Sequence, residues 1–264
     1  MNQRSILTAA ISLAIGLAIG GDAAGQSRFV AETPTARVDY WQKRAADIEQ
    51  TVRGPHSLRA IRIVFIGDSI TDFWHLDANP WFPGKYCGRA IWDETFSGAA
   101  PGLKALNLGV SGDRIEHVLY RLLPKARGGG GWLDRQDLQP ERIFLMLGIN
   151  NSFDAERPAT ASIVRGVEAT IARIRERKPA AQIIVQSILP TDDEAKNRDL
   201  VIPVNTQLRA FAEQAAGTKY LDLYAAFVDD HGSQRREYFN DALHPSREGY
   251  RLWRDRVVAF LKAG

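Results

Sequence analysis

The stretch that decides the fold is Ile61-Arg62-Ile63-Val64-Phe65-Ile66-Gly67-Asp68-Ser69-Ile70-Thr71. Its first half is mostly apolar and β-branched, and a run of that kind ending in glycine is typical of a buried parallel strand that reaches a tight turn. In open α/β sheets, ligands bind at the carboxyl ends of the strands. Ser69 therefore stands where such folds usually carry out their chemistry.

Strand-like and helix-like segments alternate along the rest of the chain. The short apolar segments that we predict as strands are Ile61–Ile66, Ala105–Val110, Arg142–Leu147, Gln182–Ile188 and Lys219–Leu223. The segments that we predict as helices are Val38–Val52, Arg114–Leu123, Thr160–Glu176, Asn205–Ala216 and Arg247–Lys262. This alternation predicts an α/β fold with a mainly parallel sheet, and right-handed crossovers place helices on both of its faces.

Residues 1–25 have the pattern of a secretory signal peptide. A basic start precedes the apolar stretch Ile6–Gly20, and Ala23-Ala24-Gly25 offers a small-x-small cleavage site. An uncleaved anchor is the alternative, but the apolar stretch is shorter than the roughly 20 residues that span a membrane. We therefore expect export, to the periplasm or the medium, no stable membrane span after cleavage, and a single domain over residues 26–264.

Composition and charge exclude several classes of protein. The formal net charge is +3, basic residues are scattered among acidic ones, and Cys87 is the only cysteine. Without a basic stripe, a nucleic-acid partner is not expected, and a single cysteine cannot form an internal disulfide. The histidines lack metal-ligand spacing, and the chain has no Walker loop or dinucleotide fingerprint. We expect neither a metal nor a cofactor.

Acyl transfer by a serine needs a base, an acid that orients the base, and donors for the developing oxyanion. Gly112 follows the second predicted strand and Asn150 follows the third. A glycine lets its backbone N–H approach a substrate oxygen, and an asparagine side chain offers an uncharged N–H donor. Together with the backbone N–H of Ser69, these residues form a candidate three-donor oxyanion hole.

The candidate base and acid lie in Asp241-Ala242-Leu243-His244-Pro245. Their spacing of three places both side chains on one side of a turn-like loop. Asp241 can then accept a hydrogen bond from one ring nitrogen of His244 while the other nitrogen faces Ser69. The structural alternative is a helix start that Asp241 caps, with His244 in solvent.

The other polar residues near these motifs have structural interpretations. Asp68 is expected to point away from Ser69 and to bond neighbouring loop amides. Asp113 is expected to cap the helix that begins at Arg114. His75 and His117 have no carboxylate at the spacing found for His244, so a structural role is expected for both.

The ordered set of motifs resembles the SGNH (GDSL) hydrolase family from about Ile61 to the C-terminus. The stretches Asn107-Leu108-Gly109-Val110-Ser111-Gly112-Asp113-Arg114, Gly148-Ile149-Asn150-Asn151 and Asp241-Ala242-Leu243-His244-Pro245 look most like the platelet-activating-factor acetylhydrolase catalytic-subunit branch. The resemblance implies a flavodoxin-like three-layer α/β/α sandwich with five parallel strands. It also implies Ser69 as nucleophile, Gly112 and Asn150 as oxyanion donors, and Asp241 and His244 as the rest of a triad. The branch includes dimers, so a homodimer is possible.

Apolar neighbours of the candidate catalytic residues suggest a small acyl pocket formed by Ile70, Ile149 and Leu243. The expected substrate is an ester of acetate or another short acid. Trp74 belongs to a loop, Trp74–Trp92, whose rings could stack on a sugar or another flat leaving group of an extracytoplasmic ester such as an acetylated glycan. The alternative is that these rings fill the gap between the loop and the domain.

Three other functions remain open at this point. A lysophospholipase or thioesterase would act on longer acyl chains with the same residues. A non-catalytic envelope binding protein would use the same fold, although such a protein would be expected to lack a triad member. A receiver-like signalling domain with Asp68 as the functional acid would leave His244 unexplained. A serine esterase accounts for all of the motifs.

Overall fold

The computed structural model describes residues 28–37, 41–153 and 156–263. The predicted signal peptide lies outside these ranges. Five strands form one sheet; they are β1 (Ile63–Gly67), β2 (Ala105–Asn107), β3 (Arg142–Met146), β4 (Gln182–Gln186) and β5 (Thr218–Leu221). Their order is β2-β1-β3-β4-β5, and every pair is parallel. No helix within the described ranges is long and apolar enough to cross a membrane.

Helices cover both faces of the sheet. They are α1 (Gln42–Arg53), α2 (Ser69–Asp72), α3 (Arg89–Thr95), α4 (Ile115–Leu122), α5 (Ala159–Arg177), α6 (Glu194–Lys196), α7 (Ile202–Gln214) and α8 (Arg247–Lys262). Helix α4 contacts α5, and α5 contacts α7, whereas α3 contacts α8. Right-handed crossovers put these two groups on opposite faces because the chain reverses direction across the sheet after β2. The predicted three-layer, flavodoxin-like α/β/α fold is confirmed.

Several element boundaries differ from those predicted. Strand β2 ends at Asn107 rather than Val110. The Asn107 side chain accepts the Gly109 N–H at 2.8 Å and donates to the Thr71 carbonyl at 2.9 Å. The N–H groups of Leu108 and Val110 still bond to β1 carbonyls at 2.8 and 3.3 Å, so the pairing with β1 continues only in part beyond Asn107. The predicted Val38–Val52 helix begins at Gln42, and residues 38–40 lie outside the described ranges.

The loop predicted after Trp74 contains a helix, α3, which the sequence analysis missed. The helix predicted from Asn205 begins three residues earlier, at Ile202, and follows a π-helical turn over Asn197–Val201. Local apolar periodicity is weak in both segments. Packing of α3 on α8, and of α7 on β5 and α5, supplies the stabilisation that the local pattern does not reveal.

The core on the α3 and α8 side is aromatic, and Trp74 lies inside it. Its side chain is fully buried, with ring centroids 4.6 Å from Tyr250 and 5.1 Å from Trp253. The prediction that Trp74 lines the substrate pocket is therefore wrong. Tyr250 adds a buried hydrogen bond, 2.7 Å, from its hydroxyl to the Ile70 carbonyl. That bond fixes the turn that follows Ser69 to helix α8.

Candidate active site

Ser69 is the first residue of α2, directly after β1. Strand β1 has β2 on one side and β3 on the other, so Ser69 lies where the strand order reverses, the usual binding crevice of such sheets. Asp68 caps the short helix, and its carboxylate accepts the Ile70 N–H at 3.0 Å. The expectation that Asp68 bonds a loop amide agrees with this contact. The cap holds the Ser69 hydroxyl at the edge of the sheet.

The structure brings Ser69, His244 and Asp241 together in one hydrogen-bonded chain. The Ser69 Oγ to His244 Nε2 distance is 2.9 Å, and His244 Nδ1 lies 2.9 Å from Asp241 Oδ2. Asp241 Oδ1 also accepts the backbone N–H groups of Leu243 and His244, each at 2.7 Å. These bonds fold the loop back on itself, so the carboxylate orients the imidazole and the imidazole faces the hydroxyl.

Burial and hydrogen bonding act in opposite directions on the Asp241 carboxyl. Burial raises its pKa, but hydrogen bonds from the side chain and backbone of His244 outweigh burial and hold that pKa below its ordinary value. The carboxylate therefore stays ionised at neutral pH. A charged Asp241 stabilises an imidazolium at His244, which is the charge that a general base acquires when it takes a proton.

Two aromatic rings pack against His244. The Phe73 ring stacks on the imidazole with a centroid distance of 5.0 Å, and the Trp81 ring lies 5.4 Å away. Phe73 is buried, whereas Trp81 is 50% exposed. Phe82 and Tyr86 in the same loop are also exposed, but Trp81 is the exposed ring that packs beside the imidazole. Trp81 lies within the predicted loop Trp74–Trp92, where Trp74 was the ring expected to meet the substrate.

The two other candidate oxyanion donors stand on neighbouring loops. Gly112 has φ of 75°, a conformation that favours glycine, and directly follows Ser111. The Ser111 N–H and hydroxyl donate to Asp72 Oδ2 at 2.9 and 2.6 Å, which ties this loop to α2. Asn150 Nδ2 donates to the Asp113 carbonyl at 2.8 Å. An amide nitrogen carries two hydrogens, so a second donor remains at Asn150.

Asn151 holds these loops together, a role that the sequence analysis did not foresee. Its Oδ1 accepts the Ile115 N–H at 3.0 Å, and its Nδ2 donates to Glu116 Oε2 at 2.9 Å. Glu116 is 2% exposed. The turn after β3 is thereby pinned to the start of α4. Two features of the sequence could have indicated this contact: an asparagine directly after Asn150 and a glutamate near the start of helix α4.

Asp113 does not cap α4, so that prediction is wrong. Its carboxylate instead accepts two bonds from Arg121, at 2.5 and 2.7 Å, and one from Arg37 at 3.0 Å. Arg114 occupies the N-cap position of α4, and its backbone N–H donates a hydrogen bond to His117 Nδ1 at 3.0 Å. His117 is buried, which lowers its pKa to about 4 and keeps the ring neutral and able to accept.

The predicted acyl-pocket residues differ in exposure. Ile70 and Ile149 are 1% and 2% exposed and belong to the hydrophobic core. They therefore lie beneath the site and do not line an open pocket. Leu243 is half-buried beside the Asp241 loop. His75 Nδ1 lies 3.0 Å from Asp72 Oδ1, a structural contact. The described part of the chain contains no group of three or more histidine, cysteine and carboxylate side chains placed to hold a metal.

A serine linked to a histidine and an aspartate at the end of a parallel sheet is the arrangement that serine hydrolases use. The chain belongs to the GDSL-like lipase/acylhydrolase family, whose profile matches residues 65–252. It is 31% identical over 193 residues to the platelet-activating factor acetylhydrolase IB subunit alpha1 of Homo sapiens, covering 71% of this chain and 70% of that one. The resemblance stated from the motifs is confirmed, and the protein is a carboxylic ester hydrolase.

Solved structures share the fold. A GDSL-like lipase from Bacteroides thetaiotaomicron matches 84% of this chain and 97% of its own, with a TM-score of 0.59 and 18% identity. A variant of an acetyl-xylooligosaccharide esterase from Geobacillus matches 75% of this chain and 93% of its own, with a TM-score of 0.52 and 22% identity. At these identities the similarity establishes the three-layer architecture.

Proposed function

We propose that the protein is a serine esterase that hydrolyses short-acyl esters, acetyl esters above all, through an acyl-enzyme and without a cofactor. One observation carries the proposal. An unbroken set of hydrogen bonds runs from Asp241 through His244 to the Ser69 hydroxyl, with each heavy-atom distance at 2.9 Å. That is the geometry in which a histidine can remove the serine proton as the oxygen attacks a carbonyl.

In the first half-reaction, His244 Nε2 takes the Ser69 proton while Oγ forms a bond to the ester carbonyl carbon. The tetrahedral intermediate collapses, the bond to the alcohol oxygen breaks, and His244 returns the proton to that oxygen. Water then repeats the sequence on the acyl-enzyme and releases the acid. Asp241 remains ionised throughout and stabilises the imidazolium.

The oxyanion of the tetrahedral intermediate is proposed to accept hydrogen bonds from the Ser69 and Gly112 N–H groups and from Asn150 Nδ2. These donors are fixed before the reaction because Asp72 holds Ser111 and because Asn150 is bonded to the Asp113 carbonyl. Donors that need no reorganisation stabilise the developing charge more than mobile ones do.

Two kinds of support favour a short acyl group and a glycan leaving group. Ile70 and Ile149 are core residues, so neither side chain offers open apolar surface to a long acyl chain. Similar proteins carry names that refer to acetyl esters, including an acetylhydrolase and an acetyl-xylooligosaccharide esterase. We further propose that residues 1–25 direct export, that residues 26–264 form one domain, and that the protein can form a homodimer.

The Ser69→Ala variant tests the proposal. We expect turnover of 4-nitrophenyl acetate to fall by about 10⁴-fold or more, because removal of the nucleophile of a triad costs that much. The circular dichroism spectrum and the melting temperature should match those of the wild type, since a hydroxyl is removed without a change of backbone. Substantial activity in this folded variant would refute the proposal.

An acyl-chain series separates acetyl esters from the alternative of a lysophospholipase or thioesterase. With 4-nitrophenyl esters of two to ten carbons, we expect kcat/KM to be highest for acetate and to fall steadily with length. A maximum at eight or more carbons would show instead that the site takes long acyl chains.

A further inference from the structure

A cavity of about 440 Å³ lies between α1 and the segment that follows α2. Its α1 side presents Trp41, Lys43 and Asp47, and its opposite side presents Phe73 and Trp81, with Ser111 at one end. The volume falls in the range of small-molecule sites. The nucleophile itself lies one turn before Phe73, so the cavity adjoins the site described above without being part of the triad.

The position of His244 relates the cavity to the reaction. Both Phe73 and Trp81 pack against the His244 ring, and Ser111 immediately precedes Gly112. In the proposed reaction, His244 Nε2 returns its proton to the alcohol oxygen, so the leaving group must lie on the histidine side of the carbonyl carbon. Trp81, which is half exposed, lies beside the imidazole and also lines the cavity.

The lining of the cavity suits a neutral, hydroxyl-rich ring. Trp81 offers an aromatic face that is half exposed, and aromatic faces pack well on the apolar face of a sugar ring. Lys43 and Asp47, both exposed and one helical turn apart, offer a donor and an acceptor of opposite charge. Arg44 is paired with Asp72 at 2.7 Å, so its charge is already balanced.

The α1 wall of the cavity is rigidly attached although it precedes the family match, which begins at residue 65. Arg44 Nε donates to the Gly109 carbonyl at 3.2 Å, and Arg44 Nη2 donates to the Asn107 carbonyl at 3.1 Å. These bonds connect α1 to the loop that carries Gly112. A wall that is fixed to the oxyanion loop in this way is suited to select substrates.

We propose that this cavity is the leaving-group subsite, and that it binds the sugar from which the acetyl group is removed. The sugar ring packs on Trp81, and its hydroxyls bond to Lys43 and Asp47. This inference rests on the proposed esterase activity and specifies its substrate class. It also assigns α1, and not the triad, as the element that distinguishes an acetylated sugar from a simple acetate ester.

The test compares two acetate esters in the full-length protein. One is an O-acetylated disaccharide, and the other is ethyl acetate, whose alcohol is too small to reach α1. We expect the Lys43→Ala/Asp47→Ala double variant to raise KM for the disaccharide by about 30-fold, equivalent to roughly 2 kcal/mol, because two hydrogen bonds are lost. Its kcat/KM for ethyl acetate should stay within about twofold of the wild type. Gln50→Ala, an exposed change elsewhere on α1, is the matched control.

A second measurement does not require turnover. In the Ser69→Ala variant, titration with the O-acetylated disaccharide should quench tryptophan fluorescence, and Trp81→Leu should remove the change. Equal losses on both esters in the double variant, or a disaccharide KM that does not move, would overturn the subsite while leaving the esterase intact. Loss of the proposed function would look different, since neither ester would then be hydrolysed in a Ser69-dependent manner.

Discussion

At the scale of single residues, Asn151 and Glu116 form a matched pair. The amide group donates to the buried carboxylate at 2.9 Å and also accepts the Ile115 N–H. Both contacts hold the turn that presents Asn150, so the pair acts on the proposed oxyanion hole through position alone. Neither side chain is placed to touch substrate, and each is therefore a positioning residue.

Asn151→Asp is expected to lower kcat for 4-nitrophenyl acetate by about tenfold, equivalent to about 1.4 kcal/mol, with little change in KM. Two carboxylates would then face each other in a buried place and repel. Adding Glu116→Gln should restore the rate because the glutamine amide can donate to the new carboxylate. Glu116→Gln alone is the control, and it should change kcat only slightly. A double variant as slow as Asn151→Asp would contradict the pairing.

At the scale of elements, the junction between β1 and α2 depends on a buried acid. Asp68 is 1% exposed, and burial raises its pKa to about 7 despite the hydrogen bond from the Ile70 N–H. The native state therefore binds this proton more tightly than the unfolded chain does. Stability from this group is fully present below about pH 4, the ordinary carboxyl range, and is lost as the pH rises towards 7.

Asp68→Asn keeps the capping oxygen and removes the titration. We expect the variant to gain stability relative to the wild type as the pH rises from about 4.5 to 8, by a few kcal/mol at most, in urea denaturation at each pH. His117 titrates in the opposite sense over part of this range, but it is common to both proteins and cancels in the difference. A difference in unfolding free energy that is independent of pH would show that Asp68 is ionised throughout.

The elements also show how far local pattern reaches. Apolar runs and turn residues were enough to predict the strand positions and the helices α4, α5 and α8. They also predicted that successive strand ends carry Ser69, Gly112 and Asn150. Helix α3 was not, because seven residues in an aromatic loop carry too little periodicity to identify a helix. The role expected of Asp113 failed because Arg121 on α4 and Arg37, 76 residues away in sequence, pair with its carboxylate instead.

At the scale of the whole molecule, Cys87 reports on global unfolding. Its side chain is fully buried, and burial raises the pKa of the thiol to about 12, so a reactive thiolate forms only when the core opens. We expect iodoacetamide to alkylate Cys87 at pH 8 only through unfolding, at a rate that increases steeply with urea.

A distant core substitution distinguishes global from local opening. Ile183→Val in β4 lies across the sheet from the Cys87 segment and should cost roughly 0.5–1.5 kcal/mol. If labelling requires global unfolding, this variant should be alkylated about two- to tenfold faster than the wild type. Unchanged labelling in the variant would mean that the segment around Cys87 opens locally, independently of the sheet.

The sequence by itself determined the class of fold and the set of residues at its site. Parallel strands bring their carboxyl ends to one edge of the sheet. Short motifs that follow these strands must therefore lie close together at that edge, whatever the exact strand boundaries. Only the tertiary structure decided which tryptophan of the loop lies beside His244. Trp74 and Trp81 are of the same type in the same loop, and helix α8, remote in sequence, buries one and leaves the other beside His244. Long-range packing of this kind leaves no trace in local pattern.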